Sequence, residues 1–167
     1  VQKAMRYVVD EAREKPDLHW CFSKLALNED IEEVNDILYG LFTMEDKSEL
    51  FEHRLYNYWY QSGMWMLCKM YYLFGSKSDY MPGRLSKKTE RVLLELLWKN
   101  NLSQNNINLT KKSTWWIIGS ENHDLQNVKV PSLLASQIFM NEPEYADRVY
   151  PDYTVGDGGE NWFERKT

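Results

Sequence analysis

An all-α fold is what this sequence predicts, and three observations predict it. Apolar residues recur three and four positions apart along most of the chain. The strict alternation that marks a half-buried strand is at best local, and the stretches between periodic segments are long and polar. With 167 residues the chain amounts to about one domain and can bury roughly two-thirds of its extended surface, so it should build a real core.

The elements follow in order. Residues 2–14 place Ala4, Met5, Val8, Val9 and Ala12 at helical spacing, and Pro16 stops that run. From Asp30 to Phe42 the positions Ile31, Val34, Ile37, Leu38 and Leu41 repeat the pattern, with acidic side chains near the start that suit the helix dipole. Met44–His53 is charged and reads as a connection. Residues 54–74 carry apolar or aromatic groups on every face, and a helix apolar all round is buried all round. A single small bundle has too few residues to cover such a helix, which hints at more protein around it. Gly75 ends this helix, Pro82-Gly83 punctuates the loop that follows, and Ser86 is the expected N-cap of a helix over 87–99 with Val92, Leu93, Leu96 and Leu97 inward.

Asn100–Thr114 lacks any period and reads as a loop of about fifteen residues, a length that is usually functional or disordered inside a compact domain. Pro131 is placed to open a helix through Ser132, Leu133, Leu134, Ala135, Ile138 and Phe139. The tail from Glu142 is irregular until Glu160–Lys166, where a further helix is expected to begin.

Charge and composition narrow the partners. Asp and Glu outnumber Lys and Arg by 25 to 20, and the basic residues are scattered, so no nucleic-acid footprint is present. No apolar run is long enough to span a bilayer, so no membrane segment is expected. The sequence starts at Val1 without an initiator Met or a leader, which reads as a mature product or an excised piece, with a lost signal peptide left open. Cys21 and Cys68 lack metal-ligand spacing, and a disulfide and two buried free thiols are both open. The sequons Asn101-Leu102-Ser103 and Asn108-Leu109-Thr110 fall in the polar stretch, where an accessible loop would present them as glycosylation sites, and they tilt the location towards secreted or extracytoplasmic. The aromatic content stands out. Seven Trp and 11 Tyr exceed what a core of this size needs, and such rings favour surfaces that bind sugars or other flat partners.

Chemistry concentrates in one run, Trp115-Trp116-Ile117-Ile118-Gly119-Ser120-Glu121-Asn122-His123-Asp124. A neutral imidazole at His123 can take a proton near neutral pH. The carboxamide of Asn122 can donate hydrogen bonds to a carboxylate and draw charge off it. β-Elimination from a uronic acid needs that pairing, because its C5 proton is removable only when the adjacent carboxylate is neutralised or the enolate-like anion is held by fixed donors. The bland alternative is that His123 caps a helix or satisfies a buried carbonyl. A metal held by Glu121, His123 and Asp124 would need an irregular loop, since consecutive residues point apart on a regular backbone, and no second His or Cys cluster completes a shell. No cofactor is expected, with a divalent metal left open. One of Trp115 and Trp116 can face a ligand while the other is buried. Arg54 and Tyr58, four apart on one helix face, are the pair nominated to contact an anionic substrate, with a solvated Arg as the alternative. His19 and His53 are isolated and read as structural or solvated. No nucleophile elbow, phosphate loop or CxxC is present.

The order of an aromatic helix, a leucine-rich helix, a long loop, then W-x-I-x-x-S-E-N-H-D, a helix with Leu133-Leu134-Ala135-Ser136-Gln137 and a later Asp157-Gly158 resembles the (α/α)-toroid polysaccharide lyases and lyase-like proteins. The resemblance covers about residues 50–167 and is sharpest at Glu121-Asn122-His123-Asp124. It implies Asn122 as neutraliser of the uronate carboxylate and His123 as the proton-handling residue. Glu121 and Asp124 would support them, and Trp115 or Trp116 would form a sugar-stacking wall. The substrate implied is an acidic, uronate-containing polysaccharide. Such toroids close with about twice the five to six helices expected here, so the resemblance implies an incomplete (α/α) toroid with long loops, completed by a further segment or a second chain. Tyr150 and Tyr153 are the tyrosines near in sequence for the missing acid. Two rival expectations stand beside this one, a non-catalytic glycan-binding or structural module and a helical interaction domain completed by another subunit.

Overall fold

The computed structural model describes residues 1–11, 16–44, 60–104, 130–150 and 160–161, and these are almost entirely helical, in agreement with the all-α expectation. Helix α1 (Gln2–Glu11) buries Val9 and lies against α2 (Leu18–Leu27). The sequence pattern had not singled out α2. Its start is set by Asp17, whose backbone is extended (φ −112°) and whose Oδ1 accepts the N–H groups of His19 and Trp20, each at 2.9 Å. Two donors that a helix start leaves unpaired are thereby satisfied. Asp17→Ala is expected to lower stability by about 1 kcal/mol, read as a lower urea midpoint, while Asp17→Ser keeps most of it.

Two left-handed residues turn the chain from α2 into α3 (Ile31–Thr43), Asn28 at φ 63° and Asp30 at φ 48°. The N–H of Asn28 reaches Leu25 O at 3.2 Å and that of Glu29 reaches Lys24 O at 3.1 Å, a Schellman closure in which Asn tolerates the left-handed backbone. Lys24 Nζ lies 2.6 Å from Asp30 Oδ2 and 3.4 Å from Glu29 Oε2, so the corner is also pinned by charge. In α3 the buried positions Val34, Leu38 and Phe42 recur at four, and Glu32 and Glu33 occupy the first turn as the dipole favours. Asn35 is buried beside them with its carboxamide fully used: Nδ2 donates to Ile31 O (2.7 Å) and Arg84 O (2.8 Å), and Oδ1 accepts from the Ser86 N–H (2.7 Å).

Helix α4 (Tyr60–Phe74) follows. It buries Met64, Leu67, Cys68, Met70, Tyr71 and Phe74, while Trp65, Met66 and Leu73 are half-buried and Lys69 and Tyr72 are exposed. Gly75 ends it. A Cβ there would sit 2.5 Å from Tyr71 O, which only glycine avoids. The loop to Ser86 folds back on the helix end through Met81 N–H to Leu73 O (3.2 Å) and Leu85 N–H to Phe74 O (2.9 Å).

Helix α5 (Lys87–Gln104) packs on α3, α4 and the following α6 (Val130–Asn141). It buries Thr89, Glu90, Leu93, Leu94, Leu96, Leu97, Trp98 and Asn101. Ser86 caps it as expected, its Oγ accepting the Thr89 N–H at 3.1 Å. The helix runs past the expected end at Lys99. Asn101 therefore stands in a helix with 0% of its surface exposed, and a glycan-bearing Asn in the folded chain needs an accessible side chain. The Asn-rich composition signalled a loop, and burial against the core overrode it.

Helix α6 opens at Val130 with Pro131 next, and buries Pro131, Ser132, Ala135, Ser136, Ile138 and Phe139. A short helix, α7 (Pro143–Ala146), follows and seats Tyr145 on Phe139, with ring centroids 5.4 Å apart and stacked. Trp98 of α5 meets Phe139 edge-on at 5.2 Å. The tail then pairs β1 (Val149–Tyr150) with β2 (Glu160–Asn161) as an antiparallel ladder, Val149 opposite Asn161 and Tyr150 opposite Glu160. Glu160 and Asn161 are thus paired as strand, where the sequence suggested the start of a helix. Cross-strand backbone bonds decide this, and no periodicity in so short a segment reports them.

Candidate functional site

The residues expected to carry chemistry fall outside the described ones. This holds for Asn122 and His123, for Glu121 and Asp124, for Trp115 and Trp116, for Arg54 and Tyr58, and for Asn108, His53 and Tyr153. What the structure describes is the frame on either side of the run from Trp115 to Asp124. Helix α5 ends at Gln104 and α6 starts at Val130, and these two helices pack on one another. Buried residues stand near both of these helix ends. Asn101 is buried one turn before the end of α5, and at the start of α6 Pro131 and Ser132 are buried, with the Cys68 Sγ of α4 lying 3.7 Å from Pro131 O.

Ionisable groups gather instead at the opposite end of α6. Tyr71 of α4 donates its hydroxyl to Glu142 Oε1, and Lys77 Nζ reaches the same oxygen at 2.9 Å and Asn141 O at 2.7 Å. Burial, reinforced by the Glu142 carboxylate, pushes the Tyr71 phenol well above its ordinary range. A phenol held protonated in this way donates a hydrogen bond and is no base. Nearby, Ser76 gives its backbone N–H and its hydroxyl to the two oxygens of Glu90, both at 2.8 Å. Arg148 Nη2 lies 3.1 Å from Glu95 and 3.3 Å from Glu144, and its guanidinium covers the Tyr145 ring at 4.0 Å. Each of these sets joins two elements of the fold, so their work is structural. Glu142 follows the last residue of α6, about 18 Å along the axis from Val130, because α6 has 12 residues at about 1.5 Å each.

The two cysteines are free and buried, which decides the alternative left open above. Burial pushes the Cys21 thiol up to about 12, helped by the charge of Asp17, and burial alone pushes Cys68 up to about 12. Protonated, buried thiols are poor nucleophiles and poor metal ligands. His19 is solvated, with half its side chain exposed and Nδ1 3.9 Å from Asp17 Oδ2. Among the described residues no group of three His, Cys, Asp or Glu side chains could hold a metal ion, and no helix is long and apolar enough to cross a membrane.

The pairs Tyr71–Glu142, Arg148–Glu95 and Asn35–Arg84 went unforeseen in the sequence. Each joins residues far apart in the chain, and nothing in the local pattern signals them. No family model, curated protein or solved structure matches this chain.

Proposed function

We propose that this chain is the helical scaffold of an acidic-polysaccharide lyase, an incomplete (α/α) toroid that binds a uronate-containing polymer and cleaves it by β-elimination. The observation that carries the proposal is the run Ser120-Glu121-Asn122-His123-Asp124, reached through Trp115 and Trp116 and set between two helices of an all-helical frame. In this reading Asn122 donates hydrogen bonds to the uronate carboxylate and so acidifies the C5 proton. His123, neutral, accepts that proton. The C5–H electron pair becomes the C4–C5 double bond as the C4–O bond breaks, and an acid returns a proton to the leaving oxygen. Trp115 or Trp116 stacks on a sugar ring, Arg54 and Tyr58 contact the anionic polymer, and Glu121 and Asp124 support the pair. A further segment or a second chain completes the toroid, and the polymer places the protein outside the cytoplasm.

The test is a panel of polymers incubated with the protein, with ultraviolet absorbance of the unsaturated uronate end as the readout. Absorbance is expected to grow with uronate polymers and to stay flat with the same polymers after reduction of their carboxylates. New reducing ends released from a uronate polymer without that absorbance would show cleavage by another route and remove elimination from the account.

One observation favours a second reading, a non-catalytic glycan-binding or structural helical subunit. Tyr72 of α4 and Leu133 and Met140 of α6 are 37%, 38% and 47% exposed, apolar surface that another chain would cover. That reading expects saturable binding or a stable complex by light scattering, with no new double bond.

A further inference from the structure

We draw no further inference here: the strongest candidate, the outward surface of α4 where Lys69 lies over the Trp65 ring and the Tyr72 hydroxyl reaches Leu134 O of α6, carries nothing because no feature among the described residues shows what covers it.

Discussion

His123→Ala lowers the rate of unsaturated-product formation by about 10²–10⁴-fold, the usual contribution of a positioned general base. In the proposed mechanism the loss is expected to fall on kcat, because there the imidazole acts on the C5 proton and adds little to ground-state binding. In the proposed mechanism the wild-type rate is expected to rise with pH as the general base loses its proton, and the variant is expected to lose that limb. Asn122→Ala is expected to cost about 10²–10³-fold, the scale of one lost donor to developing negative charge. Steady-state kinetics on a uronate polymer check both. A His123→Ala enzyme with the wild-type rate and pH profile removes the residue from the mechanism.

Stability is expected to fall as pH rises above about 9, for reasons that lie wholly in the described core. Cys21 and Cys68 start from an ordinary thiol value of 9.0 and are pushed up to about 12 by burial. Between those values the unfolded chain has released both protons while the folded chain still holds them. Stability from these groups is therefore complete below about pH 9 and is lost as pH climbs towards 12, by up to about 1.4 kcal/mol per pH unit for each group. The Tyr71 and Tyr145 phenols, raised from 10.0 chiefly by burial, add to the loss above about pH 10. Urea midpoints at about pH 8 and about pH 10.5 measure the effect, and the second is expected to be markedly lower. Cys68→Ala removes one titrating group and is expected to flatten the dependence. A midpoint unchanged between the two conditions would show the thiols to be solvated.

The helices that could be read from sequence are those whose signals are local. Val34, Leu38 and Phe42 repeat on one face of α3, and Ser86 sits one residue ahead of α5 with its hydroxyl on the Thr89 N–H. Pro131 marks the start of α6, and Gly75 the end of α4. Helix α2 escaped because Leu18, Trp20, Cys21 and Leu25 are buried while Phe22, Ala26 and Leu27 are half-buried, which blurs any stripe, although Pro16-Asp17 is a usable start signal. How a helix is covered depends on neighbours that no single segment encodes. Both α4 and α5 are rich in apolar groups, and each packs on three helices: α4 on α2, α5 and α6, and α5 on α3, α4 and α6. Asn101 shows the same limit from the polar side, an Asn in a loop-like composition that the fold buries completely. The site was legible only as residue types in a run. The described structure adds the packed helices α5 and α6 that flank that run in sequence, and it assigns the other ionisable clusters to the joints of the fold.

The mass of the fragments released from a uronate oligosaccharide of defined length tests the central claim most directly. Elimination breaks the C4–O bond without taking up water, so the paired fragments are expected to sum to the mass of the substrate, with the unsaturation on the new non-reducing end. Fragments that together exceed the substrate by one water would show hydrolysis, and an intact oligosaccharide recovered from a saturable complex would show binding alone. Either result contradicts the lyase account.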